Sequence, residues 1–230
     1  MGKNKLAHFA EIKSMRHVFE PPIEEGIAGS SPLQGSWSSF FGNKNPITLE
    51  LGCGKGEYTV GMAQMYPDRN FIGIDIKGAR IWRGAKTIDE EKMGNAAFLR
   101  MRIEFIASFF EKDEVEELWL TFSDPQLKDK REKHRLTHPR FLDIYRKFML
   151  PGGWIHMKTD SRFLADYTLE VLKEEGIEAD LVAFDLYGSD WENLSEADKK
   201  HMELKTFYEQ KFLDKGIAIN YIRFQLNGTK

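Results

Sequence analysis

Short apolar runs alternate with longer mixed stretches along most of this chain. The runs at 47–51, 71–75, 96–100, 118–122 and 153–158 are dominated by Ile, Leu, Phe, Trp, Met and Ala and end in, or are followed by, turn-forming or charged residues. Continuous short runs of this kind predict strands buried on both faces. Between and after them, residues 57–65, 77–92, 104–110, 138–148 and 161–175 mix apolar and polar positions at helical spacing and predict helices. Strands separated by helices imply parallel βαβ units, hence an α/β fold with a doubly wound sheet. The tail differs. Ser195 with Asp198 is a capping signal for a helix to about 204, and 217–226 reads as a late strand that joins the sheet edge. Ahead of the first run, Pro21, Pro22, Gly26, Gly29, Pro32, Gly35, Gly42 and Pro46 stand among serines and predict an irregular arm. The expected organisation is a basic segment and arm over 1–46, followed by one domain over 47–230.

Composition narrows the function classes. With 41% hydrophobic and 13% aromatic residues in 230, the chain buries one substantial core. A single cysteine, Cys53, excludes a disulfide framework and a cysteine-rich zinc site, and suits a reducing compartment. The start, MGKNKLAHFA, lacks a signal-peptide core and no later run approaches membrane-spanning length, so a cytoplasmic protein without a membrane partner is expected. Six histidines are scattered without ligand spacing, so no metal and no Ser-His-Asp site is expected. A net charge of -3 argues against attraction of nucleic acid over the whole surface. Two local patches are nevertheless basic: Lys3, Lys5, Lys13 and Arg16, and the run Lys128, Lys130, Arg131, Lys133 and Arg135.

Two strand ends carry candidate chemistry. The run to Phe122 stops at Ser123-Asp124-Pro125, which fixes Asp124 at a carboxyl end of the sheet, where open α/β folds bind ligands. The basic run follows directly and suits a polyanion; an acidic turn cap followed by a solvated charge run is the plainer alternative. The first strand leads into Glu50-Leu51-Gly52-Cys53-Gly54-Lys55-Gly56, where closely spaced glycines let backbone approach a ligand. Its third glycine comes one residue earlier than in a dinucleotide-binding loop. Glu50 is ill placed beside a pyrophosphate but suits a cationic ligand, and Asp75, ending the second strand, suits a ribose diol. Together they resemble the S-adenosyl-L-methionine site of class I methyltransferases.

Three further motifs extend that likeness in order: Asp124-Pro125 with the basic loop ending His134-Arg135-Leu136, then Lys158-Thr159-Asp160, then Lys205-Thr206-Phe207-Tyr208-Glu209. Over residues 47–226 the chain resembles bacterial tRNA (guanine-N7)-methyltransferases of the TrmB type. The resemblance implies a mostly parallel, seven-stranded Rossmann-like sheet, S-adenosyl-L-methionine as cofactor, tRNA as partner, methylation of a variable-loop guanosine, and action as a monomer or homodimer without a second subunit type. It assigns Glu50, Gly52, Gly54, Gly56, Asp75 and Arg102 to the cofactor, with Asp124 the catalytic residue between cofactor and base. Lys128, Asp160, Thr206, Phe207, Tyr208 and Glu209 go to the substrate. Asp124, Asp160 and Glu209 are then the expected guanine readers, because guanine's N1–H and exocyclic amine are donors. A helix cap is the alternative for Asp160, and a capped surface helix for Thr206 to Glu209. The chain departs from the family in having Gln126-Leu127 where a tryptophan is usual after Asp-Pro, Arg102-Ile103 where an acid-alanine pair is common, and Asp75 for a commoner glutamate. Arg102 is therefore expected to serve an adenine through its backbone. Other readings are an inactive methyltransferase fold that binds RNA, a nicotinamide-dependent oxidoreductase, and a methyltransferase acting on DNA or protein amino groups.

Overall fold

A computed structural model describes residues 2–226, with side chains from Leu6 onward, so Lys3 and Lys5 lie outside the described side chains. The chain order is α1 (Gly2–Ile12), β1 (Val18–Phe19), α2 (Ile23–Ala28), α3 (Trp37–Phe41), β2 (Ile47–Leu51), α4 (Glu57–Met65), β3 (Asn70–Ile74), α5 (Gly78–Glu91), β4 (Ala96–Leu99) and β5 (Val115–Thr121). It continues with α6 (Pro139–Tyr145), β6 (Met149–Thr159), α7 (Arg162–Glu174), β7 (Ala179–Ala183), α8 (Glu196–Met202), α9 (Phe207–Leu213) and β8 (Asn220–Leu226). The strands form one sheet in the order β1-β4-β3-β2-β5-β6-β8-β7. Pairing is parallel from β1 through β6 and antiparallel where β8 lies between β6 and β7.

Strand alternation sorts the core onto two faces. Leu49, Leu51, Ile72, Ile74, Leu118 and Leu120 pack on one side with Phe141, Leu164 and Leu172. Phe71, Phe98, Trp119 and Tyr221 pack on the other with Tyr58, Ile81 and Ala85. The order reverses between β2 and β5, so the carboxyl ends of β2, β3 and β5 open on one crevice, the usual ligand position in such sheets.

Several expectations are corrected. Among the described residues the sheet has eight strands, not seven, because Val18–Phe19 pairs with β4 at its edge. Residues 20–46 are not a free irregular arm: α2 and α3 lie within them, and buried Trp37 donates from Nε1 to Phe109 O at 2.9 Å and stacks on Phe110. Helices of 6 and 5 residues are too short to show a period. The helix expected near 104–110 is a 3-10 segment, Ile103–Ser108. Strand β7 has only part of its surface covered and lacks the continuous apolar run of a central strand.

Candidate active site

The turn after β2 is built for close approach. Gly52 (φ 78°) and Gly54 (φ 58°) adopt left-handed backbone that favours glycine, and a Cβ on Gly52 would point into open space. Gly56 serves differently: a Cβ there would collide with the Phe98 ring, so this glycine permits helix-to-sheet packing at the start of α4. Asp75 fastens the turn, its carboxylate accepting from Gly54 N at 3.0 Å and Lys77 N at 2.8 Å. Each oxygen keeps lone-pair capacity for a further donor.

Glu50 is buried. One carboxylate oxygen accepts from Thr59 N at 2.9 Å and Thr59 Oγ1 at 2.5 Å, and the other from Thr121 Oγ1 at 2.5 Å. Burial pushes its carboxyl up to about 7, against hydrogen bonds from Thr121 and Thr59 that favour the charged form. Neighbouring Cys53 is also buried, which pushes its thiol up and leaves it a packing residue rather than a nucleophile.

Two clefts flank Asp75. The first, about 100 Å³, is lined by Glu50, Gly52, Gly54, Thr121, Thr206 and Tyr208, with Lys55 and Arg80 also on its wall. The second, about 240 Å³, is mostly apolar and is lined by Pro21, Pro22, Ile76, Met101, Arg102 and Phe105 among others. Gly54, bonded to Asp75, belongs to the first, and Ile76, which follows Asp75, to the second. The Arg102 guanidinium, about half exposed, pairs with Glu104 at 3.3 Å.

Asp124 is exposed on a strained turn. Phe122 (φ 50°) and Gln126 (φ 48°) both hold left-handed backbone, uncommon for side chains of this size and concentrated at functional sites. Asp124 Oδ1 accepts from Gln126 N at 3.0 Å. Of the basic run, Lys128, Lys130, Arg131 and Lys133 are exposed. Arg135 is not: it is 3% exposed and donates to Pro125 O and Gln126 O. The expectation that Arg135 holds phosphate is corrected, because the guanidinium is buried with Nε and Nη2 on backbone carbonyls and Nη1 4.0 Å from the Glu132 carboxylate.

The motif at Thr206 to Glu209 reaches the first cleft through Thr206 and Tyr208. Thr206 caps α9, with Glu209 completing a reciprocal capping box. The Phe207 N–H donates to Glu57 Oε2 at 2.8 Å, tying α9 to α4 beside the glycine turn. Phe207 and Tyr208 expose their rings, and Lys55 sits 5.0 Å from the Phe207 centroid.

Residues 44–221 match the family described as "Putative methyltransferase". The chain is 48% identical over 227 residues to a tRNA (guanine-N(7)-)-methyltransferase of Bacteroides fragilis (strain YCH46), covering 98% of this chain and 87% of the relative. It is 48% identical over 226 residues to one of Christiangramia forsetii, covering 98% and 99%. The chain belongs to the tRNA (guanine-N(7)-)-methyltransferase family. Among solved structures, the 16S rRNA methyltransferase KamB aligns with a TM-score of 0.62 at 13% identity over 86% of this chain and 94% of that one, a likeness of fold.

In this member of the tRNA (guanine-N(7)-)-methyltransferase family, Glu209 is fully buried. Lys158 Nζ pairs with its carboxylate, the Tyr187 hydroxyl donates to it at 2.6 Å, and its other oxygen accepts from Thr206 N at 3.3 Å. Glu209 is therefore corrected from a guanine reader to the internal anchor of α9. Lys158 is equally buried, lies between the Tyr58 and Tyr187 rings, and is shifted down by burial against the pull of Glu209. Sequence reasoning missed its partner; a lysine inside an apolar strand was the signal available. Asp160 differs. The cap of α7 is Ser161, which accepts from Leu164 N at 3.2 Å, so the half-buried Asp160 is not spent as that cap, and burial raises its carboxyl. Among the described residues no cluster of His, Cys, Asp or Glu is arranged for a metal, and no helix is long and apolar enough to cross a membrane.

Proposed function

We propose that this protein transfers the methyl group of S-adenosyl-L-methionine to N7 of a guanosine in the variable loop of tRNA. The observation that carries the reading is the shared first cleft, where Glu50 and the glycine turn meet Thr206 and Tyr208 from a motif some 150 residues away in sequence. Asp75 takes the ribose diol, the apolar cleft beside Ile76 and the backbone of Arg102 take the adenine, and Glu50 faces the cationic end. Bound there, S-adenosyl-L-methionine supplies a sulfonium methyl that the in-plane N7 lone pair accepts directly, leaving S-adenosyl-L-homocysteine and a base carrying positive charge.

N7 has no hydrogen to lose, so the protein aligns and polarises rather than abstracting a proton. Asp124 lies at the strand end beside the cofactor turn, and its carboxylate opposes the positive charge that develops on the base. Asp160, with no cap to serve, accepts from the guanine Watson-Crick edge. The exposed Phe207 and Tyr208 rings offer stacking surfaces for an unstacked base, and Thr206 sets their position. Lys128 and its exposed basic neighbours hold phosphates. The protein acts in the cytoplasm as a monomer or homodimer of this chain.

The test is nucleoside mass spectrometry of tRNA incubated with the protein and S-adenosyl-L-methionine. Expected is 7-methylguanosine from guanosine and no product from a tRNA carrying 7-deazaguanosine at the target. Methylation of another atom, or none with active protein of proven cofactor binding, overturns the reading.

A further inference from the structure

We infer that Arg135 is a positioning residue for Asp124, acting through the Asp124–Gln126 turn; the inference rests on the function proposed above. Its guanidinium Nε donates to Pro125 O at 3.3 Å and Nη2 to Gln126 O at 3.2 Å. The planar group lies against two rings of α7, 4.7 Å from the Phe163 centroid and 4.3 Å from that of Tyr167. Behind it, Leu136 O accepts from Tyr145 Oη at 3.0 Å, and Thr137 bonds Thr168 at 2.8 Å. Arg135 therefore projects from a segment anchored to α6 and α7 and grips a turn nine to ten residues earlier in the chain.

That turn needs a grip. Phe122 and Gln126 both hold left-handed backbone, so the dihedrals work against the conformation that presents Asp124, and the short-range bond from Gln126 N to Asp124 Oδ1 is set against that strain. Gln126 links the two ends: its N–H donates to Asp124 Oδ1 while its carbonyl accepts from Arg135. Releasing the carbonyl frees the residue that orients the carboxylate. Lysine cannot replace this fork, because one ammonium on a flexible stem does not span two carbonyls and stack on two rings. The neighbouring exposed lysines can reach a polyanion; Arg135 cannot without leaving the turn.

The experiment compares wild type, Arg135→Lys and Arg135→Ala. Readouts are single-turnover methylation at saturating tRNA and S-adenosyl-L-methionine, cofactor affinity by calorimetry, melting temperature, and tRNA affinity against salt. Expected in Arg135→Lys is a saturating rate lower by about 10- to 100-fold, the scale of a misplaced catalytic group, with cofactor affinity and salt slope unchanged. Guanidinium ion should restore part of the rate in Arg135→Ala. In Arg135→Ala, a retained saturating rate with a salt slope lower by about one identifies a phosphate contact and overturns the proposal. Loss of rate in proportion to lost folding and cofactor binding overturns it as well. If wild type itself leaves tRNA guanosine unmethylated, the functional reading fails; a methylating wild type matched by Arg135→Lys overturns the positioning role alone.

Discussion

Substituting Glu50 by Gln should stabilise the ligand-free protein by an amount that grows as pH rises above 4.5 and levels off above about 7. The carboxyl is held between Thr59 and Thr121 with little solvent, and burial raises it from the ordinary 4.5 to about 7. Below pH 4.5 the group is protonated both folded and unfolded, and its burial carries no charge penalty. Between pH 4.5 and about 7 the folded protein keeps a proton that the unfolded chain releases, so stability falls as pH rises, and above about 7 the full penalty applies. At about 1.4 kcal/mol for each pH unit, the gap amounts to about 3 kcal/mol, an order-of-magnitude figure. Gln reproduces the protonated form: its carbonyl accepts from Thr59, and its amide donates to the Thr121 hydroxyl, which can turn to receive it. Wild type and Glu50→Gln should therefore melt together near pH 4.5 and diverge by pH 8, the variant higher by roughly 6 to 12 °C for a chain of this size. The buried histidines His17 and His156 and the half-buried His201, all shifted down by burial, affect both proteins alike and drop out of the difference. Thermal melts of both proteins from pH 4.5 to 8.5 decide the matter. A difference that is flat with pH, or a variant less stable at pH 8, refutes the reasoning.

Asp124→Asn keeps the side-chain shape and one acceptor and should lose less single-turnover rate than Asp124→Ala; equal collapse, with a wild-type rate rising on a single carboxylate titration, would indicate a base instead. Neutralising Lys128 and Lys130 together should lower the steepness of tRNA affinity against log salt by roughly one to two while leaving cofactor affinity intact, and an unaltered slope would return the loop to a solvated surface. Lys158→Met and Glu209→Gln should each destabilise, by about 3 to 5 kcal/mol for an orphaned buried charge, whereas the double variant should cost clearly less than the sum; urea unfolding that shows simple additivity contradicts the anchoring role.

The local grammar of the chain carried most of the fold. Buried parallel strands write themselves as short apolar runs, which is why β2 and β3 were readable within a residue and why Asp75 and Asp124 could be put at strand ends. The glycine turn was readable for the same reason, since positive φ at 52 and 54 restricts residue choice at the position itself. Family motifs gave the chemistry, through residues that stand close in sequence. What tertiary structure alone decided were matters of partnership across the chain. Glu209 looks like any surface acid, and Lys158 stands in an apolar strand with no partner in view, until the fold brings α9 to β6 and makes them one buried pair. Arg135 reads as one more cation in a basic loop, yet the carbonyls and rings that surround it come from residues 125, 126, 163 and 167. A charge pattern reports how many charges a segment has, and solvation depends on which of them the fold removes from water. Gly56 likewise belongs to a ligand-binding turn by its spacing and to helix packing by its contact with Phe98, which is set by a strand more than forty residues away.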